Sequence, residues 1–155
     1  MDKFEELVNK IEELASEIEK LKTEEESRTW KPKYGEKYYY LTMYGSTRSA
    51  DYWIGSLPQN RMYEIGNVFR TQEEAEFRAE QLKVEAELRR FARPFENGSE
   101  NYTLGYRHLY DRIEITFFET IQCGNLYFPS KEIAQKAIDT VGADRIKKYY
   151  FGVIN

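Results

Sequence analysis

The 155-residue chain is 41% hydrophobic and 15% aromatic, with 13 Tyr, which excludes a disordered polymer and suffices for one domain or two small ones. No apolar run nears the ~18 residues of a membrane span, the opening residues do not read as a signal-peptide core, and the single cysteine, Cys123, rules out an internal disulfide. The net charge of −4 divides into −6 over residues 1–27, +3 over 28–93 and −1 over 94–155, which disfavours a globally basic nucleic-acid binder but leaves room for a local anion site.

Residues 3–22 have heptad spacing, with Phe4, Ile11 and Ile18 at a and Leu7, Leu14 and Leu21 at d. Ile at a with Leu at d favours a parallel two-stranded coil, in which Glu17 at g and Lys22 at the following e pair between chains. Three heptads are marginal alone, so this helix is expected to assist an assembly that the body also holds together. The alternative is a stripe folded back on its own domain, for which Val8 and Ala15 at e widen the apolar face.

Lys37 to Tyr44 reads as a strand, with Tyr39, Leu41 and Met43 on the core face and Tyr38, Tyr40, Thr42 and Tyr44 opposite. Gly45 to Thr47 is a turn, Ala50 to Ile54 a partner strand, and 55–66 an irregular loop containing Pro58 and Asn60. Thr71 with Glu74 forms a capping box opening a helix to about Phe91. After the breaker-rich stretch from Pro94 to Asn101, the second unit opens with Tyr102–Tyr110, and a strand over Arg112–Ile121 precedes a helix capped by Ser130 and ended by Gly142. The tail is expected to make one more turn and a short closing strand.

The phrase Gly66-Asn67-Val68-Phe69-Arg70-Thr71 returns, with one insertion, as Gly124-Asn125-Leu126-Tyr127-Phe128-Pro129-Ser130. Both copies offer a Gly-Asn turn, an aromatic and a hydroxyl helix cap, and Asn67 and Asn125 suit that turn rather than a ligand. The expected fold is therefore α+β: an N-terminal coiled-coil oligomerisation helix (1–27) followed by two related antiparallel β-sheet-plus-helix units (28–93 and 94–155).

Catalysis has little to draw on. His108 is the only histidine, no phosphate-cradling glycine loop is present, and the His/Cys inventory is too small for a zinc site, so no enzyme activity, metal or cofactor is expected. His108 reads as a structural residue, and a metal-dependent phosphodiesterase built on Asp51, Asp111 and Glu114 is the weaker alternative. Binding has more support. Arg28, Lys31, Lys33, Lys37, Arg48 and Arg61 interleave with aromatic residues over 28–63, and a nucleotide needs both a flat ring for its base and cationic forks for phosphate oxygens. The candidate ligand set is Trp30, Lys33, Tyr38, Tyr40, Tyr44, Arg48, Trp53 and Arg61, with the arginines as forks and Trp53 and Tyr40 as platforms. The alternative is that these rings fill a small β core while the cations decorate its rim.

Trp30-Lys31-Pro32 with Gly35 and Tyr38-Tyr39, the phrase at Gly66–Ala75, and Lys147-Lys148-Tyr149-Tyr150-Phe151-Gly152-Val153 together resemble small accessory proteins encoded by phages and prophages of Gram-positive bacteria. The resemblance covers roughly residues 30–155. It implies a non-virion protein in the cytoplasm of an infected host, without catalytic residues. It also raises counter-defence by sequestration of a nucleotide signal, with inhibition of a host defence or replication protein as the alternative. Homo-oligomers and a small nucleotide-type ligand are the expected partners; a membrane is not, and nucleic acid is disfavoured.

Overall fold

A computed structural model describes residues 3–28, 30–50 and 52–154. The described chain is mixed α/β, with a long N-terminal helix and two small two-stranded antiparallel sheets. Its contacts form two compact units: residues up to 40 together with 48–72, and 41–47 together with residues from 73 onward.

In the first unit, α1 (Lys3–Arg28) is followed by β1 (Tyr38–Leu41), β2 (Thr47–Ala50) and α2 (Leu57–Glu64), with Leu41 and Thr47 counted with the other unit. The strands are shorter than the run of aromatic residues suggests. Gly45 adopts φ +73° and donates its N–H to the Thr42 carbonyl at 2.9 Å, so the chain turns inside the expected strand and returns at Thr47 rather than at Ala50. Tyr39 and Phe69 exchange two backbone hydrogen bonds of 2.9 Å, adding a one-residue bridge to the β1 edge.

The expected loop at 55–66 is largely helix. Ser56 accepts from the Gln59 N–H at 3.4 Å, Gln59 answers by accepting the Ser56 N–H at 3.2 Å, and Pro58 occupies the first turn. Proline there starts a helix instead of breaking one, because the first-turn N–H groups have no intrahelical acceptor.

The second unit contains α3 (Gln72–Arg89, its first residue counted with the unit before), β3 (Asn101–Arg107), β4 (Arg112–Phe118), α4 (Lys131–Val141) and α5 (Ala143–Arg145). β3 and β4 pair from Asn101 opposite Phe118 to Arg107 opposite Arg112. Tyr102 and Phe128 bridge the other edge of β3 through hydrogen bonds of 3.1 and 2.8 Å. Val84 and Leu88 of α3 meet Leu104, Phe128, Ala137 and Ile138 in the core. Ser130 caps α4 through the Ile133 N–H at 3.1 Å, and Gly142, at φ +97°, ends it.

The C-terminal tail departs from the expected closing strand. Residues Ile146–Tyr150 form a π-helical turn in which the Phe151 N–H reaches the Ile146 carbonyl at 3.1 Å. Ile146 is fully buried and Tyr149, Tyr150 and Phe151 pack on the same core. That helical spacing of apolar side chains overrides the strand propensity of the aromatics.

One buried polar side chain organises the connection into β3. Asn101 is fully buried; its Oδ1 accepts from Arg93 Nη1 at 2.8 Å and the Glu96 N–H at 2.9 Å, and its Nδ2 donates to the Glu96 and Ser99 carbonyls. Asn101→Ala strands these partners and is expected to lower stability by about 3 kcal/mol. Urea denaturation of the full chain measures this, and a loss below about 0.5 kcal/mol contradicts the role assigned to the side chain.

Candidate functional site

The basic-aromatic segment of the first unit is held together by its own charges. Tyr38 and Trp53, both in the candidate ligand set, are 2% and 5% exposed and pack edge to face at 5.5 Å. Trp53 is tied down by its N–H to the Glu36 carbonyl at 2.9 Å and by the Gly35 N–H to its own carbonyl at 2.8 Å. Its ring lies edge-on to Tyr63, and the Lys31 ammonium stands 5.5 Å from the Trp53 centroid and 4.9 Å from that of Tyr63. Asn60 Oδ1 accepts a further bond from Lys31 at 3.1 Å.

This geometry makes Trp53 a support rather than an open stacking platform, because Lys31 already approaches its ring. Tyr38 likewise belongs to the buried face, the reverse of the expected alternation, while Met43 lies exposed at the turn. Burial follows the neighbours: Tyr38 packs against Trp53, which a strand-by-strand alternation does not include.

The remaining candidates stay accessible. Tyr40 is half-buried with its ring 6.2 Å from Tyr38. Trp30 is half-buried, with the Arg70 guanidinium 5.9 Å from its centroid. Lys33, Arg48 and Arg61 are exposed, and Tyr44 is 88% exposed at the turn. Among the described residues no ring contact or ion pair joins Trp30, Lys33, Tyr44, Arg48 or Arg61 to one another. Asp51 lies outside the described residues, as does the side chain of Arg28. Sequence reasoning passed over Lys31 and Tyr63 as a working pair; the Lys-Pro step beside Trp30 is a local cue, but only the fold brings Lys31 to α2.

A second polar cluster occupies the β3–β4 turn of the other unit. Asp111 takes the left-handed conformation, φ +45°, that Asp tolerates better than most residues. Lys147 Nζ lies 2.6 Å from its Oδ1, and the Tyr106 hydroxyl donates to the same oxygen. These bonds, Lys147 first, hold the Asp111 carboxyl below its ordinary range, while Asp111 raises both Lys147 and the Tyr106 phenol. His108 packs edge-on to Tyr106 at 4.8 Å. The cluster borders a concavity of about 320 Å³ that also meets Gln135 and Asp144.

Glu114, the neighbouring carboxylate, receives Arg112 at 2.8 Å and Arg107 at 2.7 Å, and these guanidinium groups lower its pKa. Asp111 and Glu114 thus balance cations on their own hairpin and on the C-terminal turn. Among the described residues no group of three or more His, Cys, Asp or Glu side chains is placed to hold a metal ion. No described helix is long and apolar enough to cross a membrane.

Neither a protein-family model, nor a curated protein, nor a solved structure matches this chain.

Glu87, held by Arg145 at 3.0 Å, is also lowered, so three carboxylates have folded pKa values below their unfolded ones. A depressed carboxylate stabilises the fold above its unfolded pKa of about 4, and that contribution vanishes as pH falls through the folded value. Urea midpoints are therefore expected to drop as pH is taken below about 4, with a shallower drop in the Asp111→Asn variant. Identical acid profiles for variant and parent contradict the Asp111 assignment.

Proposed function

We propose that this is a non-catalytic binding protein that captures a small anionic, nucleotide-type ligand, built from two related sheet-and-helix units and self-associating through a coiled coil of α1. Its resemblance to small phage accessory proteins extends the proposal to sequestration of a nucleotide signal in an infected bacterial cytoplasm, which counters host defence.

The observation that carries ligand capture is the division of labour in the first unit. Lys31, Tyr38, Trp53 and Tyr63 make a rigid aromatic-cation support, while Arg48 and Arg61 remain exposed and Tyr40 half-exposed. Accessible guanidinium groups offer paired N–H donors to phosphate oxygens, and a ring gives a base a surface to stack on. Relatedness of the units is supported by the matching turns: Gly66 and Gly124 have φ of +72° and +76°, and Phe69 and Phe128 each bridge a strand before a helix begins.

Isothermal calorimetry against cyclic and ADP-ribose-derived nucleotides tests ligand capture. Binding is expected, and Arg48→Ala and Arg61→Ala are each expected to weaken it by roughly tenfold or more, as loss of a charge-assisted contact does. No heat across the panel from folded protein sinks the reading.

Inhibition of a host protein is the second reading, supported by large exposed side chains such as Leu109, Phe117 and Ile121. A stoichiometric protein recovered from host lysate favours it, whereas a small molecule released on heat denaturation favours capture.

A further inference from the structure

We propose that α1 pairs with α1 of a second copy in the antiparallel sense. This rests on the self-association in the functional reading above and replaces the parallel orientation expected from the identities at a and d.

The helix runs unbroken over Lys3–Arg28, and its seam lies exposed among the described residues: exposures range from 52% at Ile18 to 71% at Phe4. With Val8 and Ala15, the stripe presents on the order of 600 Å² per helix, so a pair covers on the order of 1,200 Å², the lower bound for a specific interface. A second copy supplies a matching stripe, and the charges beside the seam decide its direction.

Setting Phe4 opposite the partner's Leu21 places Leu7 opposite the partner's Ile18 and Ile11 opposite the partner's Leu14. Every layer then joins an a residue to a d residue, the layer type of antiparallel coils. In this register the g flank brings Lys3 to the partner's Glu24 and Lys10 to the partner's Glu17, each twice by symmetry. All four side chains are exposed, and none forms an ion pair among the described residues. The e flank brings Val8 to the partner's Ala15, so the apolar seam widens on the side that lacks charge. Opposed helix dipoles add to the same preference.

The parallel arrangement uses these residues poorly. Each g residue then faces the next e residue of the partner, so Lys3 meets Val8, Lys10 meets Ala15, and only Glu17 finds an opposite charge at Lys22. Two attractive pairs form in place of four, and lysines lie over apolar side chains. The Ile-at-a preference for parallel dimers draws on two layers alone, since Phe4 takes the first a position.

Sedimentation of the full chain as Lys10→Glu, Glu17→Lys and the double variant tests the orientation. Each single change sets like charges together and is expected to raise the dimer dissociation constant roughly tenfold, while the double variant recovers to within about threefold of the parent. A near-parental Lys10→Glu, with the double variant as weak as Glu17→Lys alone, indicates parallel pairing and overturns the proposal. Disulfide trapping in a Cys123→Ser background gives an independent readout. Phe4→Cys mixed with Leu21→Cys is expected to give the mixed dimer, and efficient self-linking of Leu21→Cys contradicts it. A parent that stays monomeric at every concentration overturns pairing altogether, and leaves the calorimetric test of ligand capture intact.

Discussion

Reciprocal backbone hydrogen bonding between a first strand and the aromatic that follows each Gly-Asn turn is the constraint on which both units depend. Tyr39 and Phe69 exchange bonds in one unit, Tyr102 and Phe128 in the other. Each bridge satisfies part of a strand edge that a two-stranded ribbon leaves open, and a two-stranded hairpin alone is marginal in water. The positive φ at Gly66 and Gly124 turns the chain so that the aromatic arrives in register. The next residues start α3 and α4, so the bridge also sets where each helix begins. Phe128 is nearly fully buried, which makes the same residue both a backbone partner and a core side chain.

The chemistry of the first unit follows from where its cations come to rest. A lysine beside two tryptophan or tyrosine rings has two outlets, solvent or ring face. Lys31 takes the ring faces and an amide oxygen; Lys37 stands 5.3 Å from Tyr39. The arginines at 48 and 61 keep to solvent. Part of the basic-aromatic pattern therefore serves the fold and part stays exposed, and each residue's share depends on tertiary neighbours. The second unit treats charge differently: Asp111, Glu114 and Glu87 each face one or two cations at hydrogen-bond distance, which favours their ionised forms.

The N-terminal helix presents the opposite problem, an apolar stripe left exposed among the described residues. Its 26 residues span about 39 Å at 1.5 Å per residue, long enough to carry the whole stripe along one face. Six large apolar side chains in water are a standing drive to association. Their spacing is read directly from the chain, because helical periodicity is local. The partner's direction is an intermolecular property, for which the flanking charges supply the discrimination.

Much of this protein was legible in its residues where the physics is local. The heptad stripe of α1, the Ser130 cap, the Gly142 stop and the Gly-Asn turns depend on side chains a few positions apart, and these elements stand where the pattern puts them. The start of α2 was equally local, since Ser56, Pro58 and Gln59 carry the capping pattern, but a proline read as a breaker hid it. Other features needed the tertiary structure. Burial of Tyr38 depends on Trp53, the ring faces taken by Lys31 depend on α2, and the helical tail depends on Ile146 reaching the core. These outcomes are set by contacts between residues distant in the chain, where packing outweighs intrinsic strand propensity and alternation within one segment carries no information about the neighbour.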